Sequence, residues 1–318
     1  MTASLPDSVQ QVFESFVTTE FTTIDSHGQP ITWPVTPYYR PGGECIDVTT
    51  GLGYPKKAND AGANPKVALL FSEPTGSGMH EPPMVLVQGT ARIDDDDLVA
   101  NRERYQREAV EKLPGTKDAL PPKFLQGWFD WYFTRLYIKV RPERVFVWPG
   151  GSLDVEPTVH DAHLEEVRSG HVEEPLEDHG EATQGAPAWD KRMEFVVEHD
   201  TGVLSWMGPD GFPLAVRVPF TAKESSKEIS IDVEPAGLPL LEGRACLAVH
   251  RHAPDFSWQR NMQVRGNLAR SGDGWKLVPR RIVGGFELPE GRLTRFRDFV
   301  KKGPGFYRTY RRRLRGRN

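Results

Sequence analysis

The sequence predicts a mainly β (α+β) protein, built from two tandem antiparallel split β-barrels with helical insertions in the first. Short runs of alternating apolar and polar residues, bounded by Gly, Pro or Asp, recur along the chain and are typical of antiparallel strands. The same ordered set of strand signals begins near Phe21 and again near Leu204. A length of 318 residues is enough for two domains that each bury a core.

The elements of the first half follow from their apolar spacing. Apolar residues at helical intervals predict a helix over 8–17, and two-residue alternation predicts strands over 21–25, 31–39, 45–49, 67–72 and 85–94. An acidic first turn and mixed charges predict an exposed helix over 95–112, and an aromatic stripe predicts a second helix over 121–136 before a strand at 136–140. We interpret this stripe as core packing, with a wall facing a cofactor or substrate as the alternative.

Four segments of the first half match four segments of the second half in the same order. The matched pairs are 28–30 with 211–213, 66–70 with 244–248, 87–89 with 264–266, and 142–145 with 279–282. One match would be noise, but four in order indicate an internal duplication. The alternative is a pair of unrelated antiparallel domains with similar turns. In a duplicated chain, a site that two identical subunits would share is shared by two unlike halves.

Charge divides the chain further. Ten carboxylates and one arginine lie between Asp154 and Glu181, which predicts a solvated linker with little structure of its own. Eleven Lys and Arg and one Asp lie between residues 292 and 317. Such a tail suits nucleic acid or an anionic surface, but more often it is a solvated terminal helix, so we expect no nucleic-acid partner. We expect a first split-barrel domain at 1–150, the acidic linker at 151–190, a degenerate split barrel at 191–290, and a basic tail at 291–318.

Composition favours a soluble cytoplasmic protein. The net charge is −4, and 38% of the residues are hydrophobic. The first residues lack the order of a secretory signal, and no stretch approaches the roughly 20 apolar residues that span a membrane. Cys45 and Cys246 fall at unmatched points of the two repeats, so we expect buried reduced thiols rather than a disulfide.

The segment 49–66 carries the residues best suited to chemistry. It leaves a strand at Thr49 and Thr50, passes through glycines, and opens a short helix at Lys56 and Lys57. Such a junction offers hydroxyls, ammonium groups and unpaired backbone N–H groups to one anion, and a phosphate would suit it. The order of residues is not that of a P-loop. The alternative is an exposed basic turn without a ligand.

These residues resemble a known family. The strand ending in Thr, the Lys-containing turn, Asn-Pro-Lys-Val-Ala-Leu at 64–69 and the Val-x-Gly-x-Ala-Arg strand at 87–92 together look like the pyridoxamine 5′-phosphate oxidase-like FMN-binding split-barrel family. That group includes flavin- and deazaflavin (F420)-dependent oxidoreductases. The segment 132–145 is similar to the closing strand of actinobacterial members. The resemblance covers about residues 10–150 well and 190–287 weakly.

The resemblance implies a phosphate site in the first repeat. It makes Lys57 the phosphate ligand, with Lys56 beside it and the hydroxyls of Thr49 and Thr50 as donors. The equivalent stretch of the second repeat, 232–243, contains no Lys or Arg and carries carboxylates that would repel a phosphate. We therefore expect one cofactor per chain.

The resemblance also implies where the cofactor ring lies. Family members place the cofactor at a homodimer interface, and here the second repeat would act as the partner. The residues expected along the isoalloxazine ring are Pro34, Val35 and Thr36 from the first repeat and Trp258, Gln259 and Arg260 from the second. Packing of Trp258 in the core of the second repeat is the competing interpretation.

The sequence thus predicts an FMN-dependent oxidoreductase that transfers hydride to or from a small organic substrate. Use of F420 on the same fold is one alternative, and a non-catalytic carrier or sensor of flavin, F420 or haem is another. We assign no catalytic side chain, because a flavin supplies the hydride chemistry itself.

His250 and His252 are candidates for a proton donor or a haem ligand, although such a histidine pair is more commonly exposed at the surface. Histidines 160, 163, 171 and 179 lie in the linker, and we expect no metal. The chain is expected to be a monomeric pseudo-dimer or a homodimer.

Overall fold

The computed structural model describes residues 5–113, 130–161, 187–272, 274–285 and 287–316. The first unit, residues 5–161, contains α1 (Asp7–Ser15), β1 (Thr19–Ile24), β2 (Pro30–Val35), β3 (Tyr38–Tyr39), β4 (Ile46–Gly51), α2 (Lys56–Ala63), β5 (Lys66–Phe71), β6 (Met84–Asp94), α3 (Leu98–Lys112), α4 (Asp130–Phe133), β7 (Arg135–Trp148) and β8 (Thr158–Asp161). The second unit, residues 187–285, contains α5 (Met193–Val197), β9 (Thr201–Met207), β10 (Pro213–Lys223), β11 (Glu228–Ile231), β12 (Gly243–His252), β13 (Gln259–Ser271) and β14 (Gly274–Gly284). Helix α6 (Arg292–Arg315) ends the described chain.

Both units are antiparallel β structures, so the predicted fold class is confirmed. The first sheet runs β2-β1-β5-β6-β7-β4-β3 and is curled but open, with β8 paired to β7. The second is a closed barrel in the order β10-β11-β14-β13-β12-β9. Position by position, six strands of the first sheet have the same order as the six of the barrel. Each also shifts register at a Gly, Gly89 in β6 and Gly266 in β13.

Each of these two glycines is required by a close backbone approach. A Cβ on Gly89 would lie 2.3 Å from the carbonyl oxygen of Arg141, and one on Gly266 would lie 2.1 Å from that of Val278. No side chain fits at such distances. The bulges that bend these long strands therefore depend on glycine.

Several predicted elements differ from the observed ones. Strand β7 continues through Pro142 to Trp148, because the bulge opposite Gly89 accommodates a residue that cannot donate to the ladder. Strand β8 pairs with β7 inside the segment predicted as a linker with little structure. The rest of that acidic segment, 162–186, lies outside the described residues. Of the predicted helix over 121–136, the described part is helical at Asp130–Phe133, and β7 already begins at Arg135.

The strands between the two units are buried on both faces. In β5, Val67, Leu69 and Phe71 pack inside the first unit, while Ala68 and Leu70 belong to the core of the second. The same core includes Trp148 from the first unit. This two-sided burial explains why β5 is a continuous apolar run rather than an alternating one.

Polar groups in this interface are paired across it. The Thr32 hydroxyl lies 2.7 Å from that of Ser205, and Gln263 Nε2 donates to the Thr32 carbonyl at 2.9 Å. Gln29 Nε2 donates to the carbonyl of Ala245, also at 2.9 Å. Because buried polar groups are costly unless satisfied, these bonds fix one arrangement of the two units.

The basic C-terminal segment forms a helix that packs on the first unit. Phe306 of α6 stacks on Trp131 at 4.9 Å between ring centroids and contacts Tyr54 edge-on at 5.5 Å. Arg313 donates to Asn59 Oδ1 in α2 at 2.6 Å. Helix α6 therefore covers the turn between β4 and α2. None of the helices in the described ranges is long and apolar enough to cross a membrane.

Candidate functional site

The turn between β4 and α2 presents an uncapped helix N-terminus. Strand β4 ends at Gly51, and α2 begins at Lys56 after Pro55, whose side chain provides no capping hydrogen bond. The first N–H groups of a helix lack intrahelical acceptors, and its N-terminus carries partial positive charge. The first turn holds no acidic residue but two lysines, Lys56 and Lys57. Negative charge stabilises the start of a helix, whereas these lysines add positive charge there. The N-terminus of α2 therefore favours a bound anion.

The two lysines differ in their surroundings. The Lys56 ammonium forms an ion pair with Asp60 at 2.8 Å, and its side chain is 53% exposed. Lys57 is half-buried and has no hydrogen-bond or ion-pair partner among the described residues. Burial, helped by the charge of Arg135 and opposed by Asp60, lowers the pKa of Lys57 from 10.5 to about 8. The surroundings of Lys57 therefore make its charged form less favourable than it is in water.

Arg135 is the second cation of the site. It is the first residue of β7, pairs with Gly51 at the end of β4, and is 5% exposed. Its Nη1 donates to the Tyr54 hydroxyl at 2.5 Å and its Nη2 to the Tyr105 hydroxyl at 2.8 Å. The guanidinium lies 4.1 Å from the ring centroid of Tyr105 and 4.3 Å from that of Tyr132. Its buried Nε has no hydrogen-bond acceptor in the part of the chain that the structure describes.

No carboxylate among the described residues forms an ion pair with Lys57 or Arg135. Burial raises the pKa values of Tyr54 and Tyr105 above their usual range, although Arg135 acts in the opposite direction, so both hydroxyls stay neutral near pH 7. Cation–π contacts and tyrosine hydroxyls stabilise the guanidinium but do not cancel its charge. Buried charge is normally paired. The pair Lys57 and Arg135, which we call the cation pair, therefore has the electrostatics of an anion site.

The other residues predicted around the phosphate have defined positions. Thr49 is half-buried in β4 opposite Tyr137. Thr50 is buried, and its hydroxyl donates to the Tyr54 carbonyl at 2.9 Å, which stabilises the turn. A ligand would have to compete for that hydroxyl. The role of both threonines as phosphate donors stays a prediction.

The three residues of the first unit that are predicted to contact the ring lie at the C-terminal end of β2 and just after it. Pro34 and Val35 are the last two residues of β2, opposite Glu20 and Thr19 of β1. Val35 is buried in the core of the first unit, whereas Pro34 and Thr36 are half-buried. Backbone groups rather than the Val35 side chain would thus contact a ring.

The predicted contribution of the second unit lies at the start of β13. Trp258 is half-buried, and its carbonyl accepts from the Ala253 N–H at 3.0 Å. Gln259 begins β13 opposite His252. Arg260 is exposed, lies 3.4 Å from Glu287, and places its guanidinium 4.2 Å from the Phe195 ring. The Arg260 guanidinium thus already interacts with Glu287 and Phe195, so it is only partly available to a ring.

Sequence reasoning missed two arginines. Arg135 stood inside the closing-strand motif but had no signal of its own, because its proximity to Lys57 depends on the pairing of β7 with β4. Arg265 of β13 is buried and interacts electrostatically with Asp60 of α2 and with Asp25. It brings a cation of the second unit toward α2. The repeat match at 264–266 was its only signal.

The two candidate histidines are buried rather than exposed. His250 Nε2 lies 2.8 Å from Glu20 Oε1, and His252 Nε2 lies 3.2 Å from the Thr18 hydroxyl. Both face the first unit, because residues two apart on a strand share a face. They serve the contact between the units, and neither offers a free Nε2 to a haem. Among the described residues no group of His, Cys, Asp and Glu could hold a metal, and His163, His171 and His179 lie outside them.

No family model and no curated protein matches the chain. Solved structures are similar to part of it. An F420 reductase shares 19% identity, covers 44% of this chain and 98% of its own, and has a TM-score of 0.34. A protein of the pyridoxinephosphate oxidase family from Clostridium acetobutylicum, related to general stress protein 26, shares 12% over 48% of this chain and 91% of its own, with a TM-score of 0.32. The heme storage protein HutZ from Vibrio cholerae shares 14% over 45% of this chain and 94% of its own, with a TM-score of 0.34.

Proposed function

We propose that this chain is an FMN-dependent oxidoreductase of the pyridoxamine 5′-phosphate oxidase-like split-barrel family, duplicated in tandem. Its phosphate site is the cation pair at the uncapped start of α2. The observation that carries the proposal is that half-buried Lys57 and buried Arg135 have no carboxylate ion-pair partner among the described residues. A phosphate ester supplies the missing charge and accepts hydrogen bonds from both side chains. The shared strand order of the two units supports the duplication.

A bound flavin supplies hydride transfer, so the task of the chain is to hold and orient it. Lys57 acts as a point charge on the phosphate, and Arg135 adds a guanidinium that its tyrosine contacts hold in place. In this proposal, backbone groups of Pro34, near the end of β2, and of Thr36, just after it, contact the polar edge of the ring. We propose that the second unit closes one side of the site, as a partner subunit would, and the electrostatic interaction of Arg265 with Asp60 of α2 supports this. We propose a small organic substrate and assign no side-chain acid.

Use of F420 is the second candidate, because it also presents a phosphate ester and a tricyclic ring to the same cations. A non-catalytic carrier or sensor would use the site in the same way but show no turnover. The geometry gives no support to the haem version, since the imidazoles of His250 and His252 are engaged in the interface.

Mass spectrometry and absorption of the small molecule released from purified protein test the proposal. Recovery of FMN, with flavin absorption bands, supports the first candidate, and recovery of F420 supports the second. Lys57→Gln should reduce the amount of bound cofactor at least tenfold, while Lys56→Gln, the matched control, should retain it. Equal retention in the two variants would contradict the assigned phosphate site.

Binding should also depend on pH. Because the pKa of Lys57 is about 8 without ligand, a phosphate that favours the charged form binds with proton uptake. Affinity for the cofactor should therefore fall as pH rises through 8. A flat pH profile in wild type, equal to that of Lys57→Gln, would show that Lys57 does not meet the phosphate.

A further inference from the structure

A cavity of about 560 Å³ lies between the two units, away from the residues assigned to the phosphate. The first unit contributes Phe16 and Phe71, and the second contributes Arg217 of β10 and Val233, just after β11. Strand β11 holds the place in the second unit that β4 holds in the first. The cavity thus opens beside the counterpart of the β4–α2 turn, and its volume falls within the range of small-molecule sites.

Charges at this cavity are the reverse of those at the cation pair. The Arg217 guanidinium donates through Nη2 to Glu20 Oε1 at 2.9 Å and through Nε to the Ser72 hydroxyl at 3.0 Å. Glu73 Oε2 is 3.9 Å from the same Nη2. Two carboxylates therefore share one guanidinium, and Glu20 is completely buried. The positive charge of Arg217 is therefore already neutralised by carboxylates, and it would not attract an anionic ligand.

The charge of Glu73 also affects which ligands can bind in the cavity. Burial would raise the pKa of Glu73, but the charge of Arg217 and the hydrogen bonds from Thr75 outweigh it and hold the pKa below its usual value. Glu73 thus stays ionised near pH 7. A second anion beside it would be repelled.

Arg217 nevertheless keeps hydrogen-bonding capacity. A guanidinium has five N–H donors, and in the described chain no acceptor is found for Nη1 of Arg217. A neutral acceptor such as a carbonyl oxygen can use these donors without adding charge. The remaining walls are largely apolar, with Pro82, Pro219 and two phenylalanines among them, and the exposed residues Glu81 and Asp154 add carboxylates that would also repel an anion. Proline carries no N–H group, so the apolar part of the lining selects by shape and dispersion rather than by hydrogen bonds.

We infer that this cavity is a second binding site, which takes a neutral, mainly apolar small molecule with a carbonyl acceptor. The site is distinct from the proposed phosphate site and does not depend on it. The ketone or quinone class fits this description, whereas carboxylates and phosphates do not.

Calorimetric titration of the full chain with two matched probes tests the inference. 2-Acetylnaphthalene and 2-naphthoate have the same ring system and about 13 heavy atoms each, which is enough for a Kd below about 1 mM in a fitting site. The neutral ketone should bind at least tenfold more tightly than the carboxylate. Absence of ketone binding up to about 1 mM, or equal or tighter binding of naphthoate, would overturn the inference.

Variants locate the binding. Val233→Trp fills the cavity from the second unit, and Pro82→Trp fills it from the first, so one of them serves if the other fails to fold. Each should weaken ketone binding at least tenfold. Val99→Trp, at a 68% exposed position of α3, is the control and should leave binding unchanged, as should Lys57→Gln. Ketone binding that survives in a folded Val233→Trp or Pro82→Trp protein would place the probe elsewhere and refute the site.

Discussion

Replacing Lys57 by glutamine should stabilise the cofactor-free protein, although the substitution removes a side chain from a candidate functional site. The folded state holds the Lys57 ammonium half-buried beside Arg135, which lowers its pKa from 10.5 to about 8. A lysine whose pKa falls on folding opposes folding while it is charged. Glutamine has a similar length and carries no charge, so it removes this opposition.

The magnitude follows from the pKa values. The difference between 10.5 and about 8 corresponds to about 3 kcal/mol at neutral pH. Solvent screens part of this cost at a half-buried position, so we expect a gain of about 1–3 kcal/mol at pH 7. Between pH 8 and 10.5 the unfolded wild type binds more protons than the folded one, so its stability rises with pH. The advantage of Lys57→Gln should therefore shrink over that interval and vanish near pH 10.5.

Urea unfolding of cofactor-free wild type and variant at several pH values measures this difference. Lys56→Gln is the matched control, because its exposed ion pair with Asp60 contributes only about 0.3–0.5 kcal/mol. That variant should be slightly less stable than wild type at pH 7. A Lys57→Gln protein that is less stable than wild type at pH 7, with a pH-independent difference, would refute the reasoning.

Three further substitutions, two of them with a matched control, test the packing around the site and between the units. Gly53→Ala would place a Cβ 3.0 Å from a backbone oxygen of α6, so it should destabilise the protein by about 1–2 kcal/mol in urea unfolding and loosen α6 in hydrogen exchange. Gly62→Ala in α2, where a Cβ would lie 3.6 Å from the Ile93 side chain, should instead be neutral or slightly stabilising, and equal effects would contradict the packing of α6. Gly266→Ala should cost about 2–4 kcal/mol because its Cβ would lie 2.1 Å from a carbonyl oxygen. Gly274→Ala, whose Cβ would have no described atom within 4 Å beyond its chain neighbours, should stay within about 0.5 kcal/mol, and a mild Gly266→Ala would argue against the bulge. Glu20→Gln should cost about 1–3 kcal/mol because it removes the completely buried charge that pairs with the half-buried guanidinium of Arg217, and a thermal unfolding midpoint equal to wild type would show that this ion pair does not hold the units together.

Most strand positions of the first unit were accessible from the sequence because they depend on local alternation and on turn residues, whereas the continuation of β7 past Pro142 and strand β8 were not. The turn at Thr49 to Lys57 was accessible for the same reason, since a strand, glycines and a helix start follow one another along the chain. Arg135 was not accessible. Its place beside Lys57 results from pairing between strands that are far apart in sequence, and no local pattern encodes that register.

The histidines show a second limit of sequence reasoning. Two histidines that are two residues apart on a strand are expected to be exposed unless one knows which surface packs against that face of the strand. His250 and His252 are buried because Glu20 and Thr18 of the first unit meet them. Similarly, the charges of the C-terminal segment indicate an exposed helix, but its position over the β4–α2 turn depends on the stacking of Phe306 with Trp131.

The central claim is that a phosphate ester meets the cation pair, and one comparison isolates that contact. FMN and riboflavin share the ring and differ in the phosphate, so their affinities are measured for wild type and for Lys57→Gln by flavin fluorescence quenching. We predict that wild type prefers FMN by at least tenfold, and that Lys57→Gln loses this preference while its riboflavin affinity stays unchanged. If F420 is the resident cofactor, the same comparison is made with F420 and its deazaflavin lacking the phosphodiester chain. An unchanged preference for the phosphorylated form in Lys57→Gln would contradict the account.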